Sequence, residues 1–158
     1  MAILDRKTHL EKMLAFEQWA NERSLAALAN AGYPAAGLRW FNHILGAQDA
    51  WLGRLRGDPP GAAVWPETPP AGTAPAMRAL AARLNDYLAS TDSASLDQAI
   101  SYRTTAGVEY RNTPFEILSH LTLHSHYHRG QIAATIRAGG HAPTPTDFIL
   151  YLRETASE

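Results

Sequence analysis

Residues 113–138 read TPFEILSHLTLHSHYHRGQIAATIRA, and they form one helix with both ends written in the sequence. Thr113 can cap, Pro114 suits a first turn, and Glu116 stands three residues after the cap, where its carboxylate can bond back. Gly139-Gly140 supplies the stop. Within this helix His120, His124 and His128 recur at i, i+4 and i+8, so their imidazoles stand one above another on a single face. Gln131 falls in the same arc. A helical wheel places that face in the middle of an apolar arc containing Ile117, Leu121, Tyr127 and Ile132, and points His126 the other way, towards Ser119, Thr122 and Arg129. The expectation is three histidines facing the core and one facing water.

That distribution needs a physical cause. Burying an imidazole without partners costs roughly 1–3 kcal/mol. A single core-facing histidine is ordinarily satisfied by a carbonyl or a carboxylate, but on this face such satisfaction must succeed three times. A metal ion meets the need at once, because neutral imidazole is a common ligand and two histidines at i, i+4 have the right bite for one ion. The pair requires a third ligand from elsewhere, and His43 is the best candidate. It lies beside the apolar arc of Trp40, Ile44 and Trp51, and its own stripe continues through Ala47 and Ala50, which leave room for an ion. The alternative for His43 is a surface or capping histidine. His9, off the leucine stripe of the first helix, and His141, in a loop, read as solvated.

Outward from this helix, the rest of the chain also reads as helical. Ile3, Leu10, Leu14, Leu25 and Leu28 share a narrow arc and predict a long first helix ending near Ala31-Gly32. A second runs from about Ala35 to Arg56 and stops at Gly57-Asp58-Pro59-Pro60. Residues 57–75 hold six of the ten prolines and read as a surface connection or flap. A third, alanine-rich helix covers roughly Ala74–Ser90. In Ala99–Arg111, β-branched and aromatic residues alternate around Thr104-Thr105-Ala106-Gly107, the pattern of a hairpin. A short last helix is expected from Thr146 to Arg153. The 158 residues suit one domain, 1–158, and the fold class is all-α: a four-helix bundle with a small hairpin before the histidine helix and a short C-terminal helix.

Composition narrows the function classes. Hydrophobic residues make up 46% and charged residues 18%, values typical of a globular domain. A net charge of −1 leaves no electrostatic footprint for nucleic acid, and no run of about 20 apolar residues offers a membrane span. The opening MAILDRKTHLEK has no apolar h-region, so a cytoplasmic location is expected. With no cysteine, thiolate ligands and a cysteine nucleophile are excluded.

The segment HLTLHSHYHRGQ, His120–Gln131, resembles the histidine helix of the DinB/YfiT-like metalloenzyme superfamily, in which two histidines four positions apart are followed directly by Arg-Gly-Gln. FNHILGAQDAWLGRL around His43 is similar to that family's first-ligand helix, and the hairpin with Gly107 and Tyr110-Arg111 lies where the family places one. The resemblance covers essentially the whole chain. It implies an up-down-down-up bundle with a divalent metal, zinc or nickel, held by His43, His124 and His128. It makes His120 a residue that lines the pocket or backs the ligands, and gives Gln131 and Arg129 a supporting role. Gly130 then fits a close helix approach, and a homodimer is expected.

Three histidines leave a fourth position open for water or substrate, as in catalytic rather than structural zinc. The leading expectation is therefore a metal-dependent enzyme, and the family resemblance implies a transferase acting on a low-molecular-weight thiol. Metal-assisted hydrolysis would need a base, and Glu116 and Asp49 both lie off the histidine face. The rival from another class is a stress-related metal-binding or interaction protein without catalysis. The loop with Trp65 either packs over one end of the bundle or meets a partner.

Overall fold

The computed structural model describes residues 5–156. Four long helices carry the fold: α1 (Arg6–Asn30), α2 (Ala35–Arg56), α3 (Pro70–Ser90) and α4 (Pro114–Ala138). Between α3 and α4 lie a 3-10 turn (Ser95–Asp97) and an antiparallel hairpin, β1 (Ile100–Arg103) with β2 (Glu109–Asn112); α5 (Phe148–Thr155) closes the chain. The hairpin pairs Ile100 with Asn112 and Arg103 with Glu109, in the place the alternating pattern predicts.

Side-chain partners fix the helix directions. Along α2 and α4, Gln48 meets Ser125, Trp51 meets His120 and Trp40 meets His128, so the two run antiparallel. Along α1 and α4, His9 meets Phe115 and Glu17 meets Arg129, so these run parallel. Lys7 bonds the carbonyls of Ala89 and Thr91, which sets α3 antiparallel to α1. The order is up-down-down-up, and α4 is clamped between α1 and α2. The core between them is largely leucine, with Leu10, Leu28, Phe41, Ile44, Leu52, Leu88, Leu118 and Leu121 almost wholly buried.

The ends follow local chemistry. Thr113 accepts from the Glu116 amide and the Glu116 carboxylate accepts from the Thr113 amide, the reciprocal capping box expected from the sequence. α2 ends on Gly57 in the left-handed region, where the Asp58 amide reaches back to the Gly53 carbonyl. α3 starts at Pro70, four residues before the expected Ala74, because proline costs nothing at a first helical position; the connection from α2 is correspondingly shorter. α5 is displaced two residues towards the C-terminus of its expected span, with Asp147 as the residue before it. Ile3, expected on the α1 stripe, lies outside the described residues; Leu10, Leu14, Leu25 and Leu28 are all buried.

The buried face of α4 differs from the apolar arc of the wheel. Its seam runs through Leu118, Leu121, Thr122, Ser125, Arg129, Ile132 and Ile136. Tyr127, expected in the middle of that arc, is 68% exposed, and His120 is exposed at the edge. Thr122 and Arg129, expected on the wet side with His126, are buried. The wheel weighs apolarity alone, and Ser125 and Arg129 are buried by pairing with polar groups on α1 and α2. Gly130 is likewise no close approach: a Cβ there would meet nothing within 4 Å. His9 is half-buried against Phe115 rather than solvated, while His126 and His141 are exposed as expected.

Candidate metal centre

α2 presents His43 and α4 presents His124 and His128 to one point between the two antiparallel helices. One nitrogen from each ring falls within 4.8 Å of the others, and no Asp or Glu among the described residues joins the three. His43 and His128 are buried, and His124 is half-buried.

The outer nitrogens of two rings are already committed. His43 Nδ1 donates to the Val64 carbonyl at 2.9 Å, and His128 Nδ1 faces the amide oxygen of Gln131, one turn on in α4. Each bond fixes a tautomer whose Nε2 keeps its lone pair, the arrangement typical of metal-ligating histidines. Nε2 of His128 lies 3.1 Å from Nε2 of His124. Two imidazole nitrogens bound to one tetrahedral ion stand about 3.3 Å apart, so this separation is close to what a shared cation needs. His124 Nδ1 is buried with no partner. In the metal-free protein a proton on His124 Nε2 can bridge to Nε2 of His128; a divalent ion would take that proton's place and add His43 as a third donor, so the donor set fits such an ion.

The surroundings favour the neutral form of His43 and His124. The pKa of His124 is pushed down to about 4, first by burial and then by its neighbours His128, His43 and His120. Burial also lowers His43, partly offset by its bond to Val64 and deepened by His128. His120 is lowered by burial of its ring against Trp51, whose centroid is 5.4 Å away. Neutral imidazole is the ligating form.

Two tryptophans cover the rings. Trp65, carried by the proline-rich connection, stacks on His43 with centroids 3.8 Å apart, and Trp40 stacks on His128 at 5.0 Å. The connection reaches this close because α2 has no side chain at Gly46, where a Cβ would come within 2.5–2.7 Å of Pro66, Ala63 and Val64. The loop with Trp65 thus packs against the middle of α2, over the histidines, rather than over one end of the bundle.

Beneath the rings lies a polar network that the apolar stripes did not reveal. Glu17 on α1 accepts from Arg129 on α4 at 3.0 Å and from Gln48 on α2 at 2.7 Å; Gln48 also donates to Ser125, and Arg129 to Asn21. All five are buried. Ser125 and Arg129 directly follow the two α4 histidines, so the network ties three helices together at the level of the site. Its sequence signal was present: Leu10, Leu14, Glu17, Asn21, Ser24 and Leu28 form an unbroken heptad seam on α1. Glu116 and Asp49 take no part in the site, being held in the capping box and in an ion pair with Arg83.

This geometry, with a histidine from one helix and an i, i+4 pair backed by Gln131 from another, agrees with the comparison to known families. The DinB family model matches residues 4–158. The chain belongs to the DinB family. Protein DinB of Bacillus subtilis (strain 168) is 46% identical over 48 residues, a segment that makes up 30% of this chain and 28% of that protein. That pairing covers less than a third of either molecule, and the match along the whole chain carries the membership. The histidine triad of this DinB-family protein has the spacing that a metal requires.

Proposed function

We propose that this chain is a divalent-metal-dependent enzyme, with His43, His124 and His128 as ligands, that transfers a low-molecular-weight thiol. The observation that supports this reading most is the three-histidine cluster, which no carboxylate among the described residues joins. Zinc or nickel is the expected ion, since both accept all-imidazole ligation. When bound, it would act as a Lewis acid at its open position and hold a thiol as thiolate near neutral pH.

The chain's own residues do the rest. Val64 and Gln131 orient His43 and His128 through their Nδ1 atoms. Trp40 and Trp65 keep water from the backs of those rings. His120, at the mouth beside Trp51, is neutral near pH 7 and placed to take up a proton from an incoming molecule. A cytoplasmic location goes with the reading, because that compartment keeps small thiols reduced. A homodimer is the expected assembly, and light scattering at micromolar concentration tests it.

The rival, a metal-binding or interaction protein without catalysis, draws support from the stacked tryptophans, which close two sides of the cluster. Metal analysis of untagged protein, followed by turnover of small thiols with an electrophile, separates the two. About one equivalent of metal with chelator-sensitive turnover supports the enzyme. Metal without turnover across a thiol panel favours the rival, and turnover that survives complete metal removal overturns the metal-dependent reading.

A further inference from the structure

On α2, His43, Ala47, Ala50 and Arg54 follow one another at i, i+4, i+7 and i+11, a single stripe that starts at the metal centre. Arg54 leans back along the helix. Its guanidinium lies 4.3 Å from the centroid of Trp51, three residues earlier, and 5.5 Å from that of Tyr102 on the hairpin. Two aromatic faces therefore hold the cation in place. Among the described residues it has neither a hydrogen bond nor an ion pair.

This guanidinium lines a cleft of about 340 Å³ between the end of α2, the proline-rich connection and the hairpin. A second recess of about 240 Å³ shares Tyr102 as a wall and is lined by Trp51 and His120. The cleft borders the histidine cluster at Val64, whose carbonyl holds His43; the second recess approaches it at His120, whose ring centroid lies 5.5 Å from that of His124. The volume of the cleft is in the lower part of the range for small-molecule sites. The carboxylates nearby are all committed. Asp58 faces Arg56, Glu109 faces Arg103, and Glu116 is tied to Asn112 and Thr113. Of the two cations lining the cleft, Arg103 is paired and Arg54 has no hydrogen-bond or ion-pair partner among the described residues.

We infer that this cleft binds a small carboxylate-bearing molecule, with Arg54 as the anchor of its acid group. Eleven residues separate Arg54 from His43, about 16 Å along the helix. The backward lean of the side chain over the preceding turn shortens this to about 11 Å along the helix axis. A molecule of tripeptide size, acidic at one end and reactive at the other, spans that distance. The inference takes its reactive end from the proposed thiol chemistry, but the anchor itself needs neither a thiol nor a metal.

The test uses S-methylglutathione, which keeps the carboxylates and lacks a free thiol, titrated calorimetrically into the full chain with and without zinc. Saturable binding is expected in both states, weakened about tenfold or more in Arg54→Gln. The dimethyl ester of the probe should bind wild type weaker by a similar factor, a comparison independent of any variant's folding. Absence of saturable binding by both S-methylglutathione and glutarate, or equal affinity of acid and ester, overturns the anchor. Binding that persists where thiol turnover is never seen upholds the anchor and sinks only the transferase reading.

Discussion

His124 is the residue whose protonation the fold controls most firmly, with its pKa pushed down to about 4 by burial and by three neighbouring histidines. In the unfolded chain it titrates at about 6.5. Between those values the unfolded state binds a proton that the folded cluster refuses, so stability of the metal-free protein rises with pH across this window and is lost on acidification. His43 and His120, also lowered, act in the same sense. Thermal melts from pH 7 to 4.5 should show the fall, and His124→Asn should flatten it. In His124→Ala, metal content should drop from about one equivalent to nearly none. Gln131→Ala frees the ring of His128, and metal affinity should weaken roughly 10–100-fold by competition with a chromophoric chelator. At Gly130 the expectation is a gain: with open space where a Cβ would stand, Gly130→Ala should raise stability by up to about 1 kcal/mol in urea.

Among elements, α4 is held to α1 and α2 by one buried ion pair and the amides around it. Side chains of Arg129 and Glu17 are 1% and 5% exposed. Glu17→Ala would strand a buried guanidinium and should cost roughly 3–5 kcal/mol, whereas the double change Glu17→Leu with Arg129→Met should recover most of the loss. Denaturant unfolding of the three variants checks this. The proline-rich connection depends on a different kind of contact. Gly46→Ala would press a methyl group against two carbonyls and Pro66, lifting Val64 and Trp65 from His43. Metal affinity should fall in this variant while the helical circular dichroism signal persists, and Trp65 emission should shift to longer wavelength.

For the molecule as a whole, the division of labour follows the helix directions. Antiparallel α2 and α4 bring His43 level with His128, while Trp51 comes level with His120, so the histidine cluster and the recess beside His120 share one interhelical face. The parallel pair α1 and α4 buries its polar network on the opposite side of α4. A site built this way needs both interfaces intact, and variants that loosen the α1 side, such as Glu17→Ala, should lose metal before they lose helix content.

Local signals along the chain set the elements and bring out the candidate site residues. Capping chemistry at Thr113–Glu116, the glycine at 57 and the period-2 run at 99–111 are local signals, set by backbone donors and side-chain periodicity within a few residues. The i, i+4 spacing of His124 and His128 needs only a helix to become a ligand pair. Tertiary structure decided which face of α4 is buried, because Ser125 and Arg129 are buried by partners more than a hundred residues or two helices away, and no apolar pattern records that pairing. It also decided that His43 meets the pair, that Trp65 folds back over it and that Arg54 faces an open cleft. Each of these depends on the distance between helices, a quantity set by packing across the whole bundle and written in no single stretch of the chain.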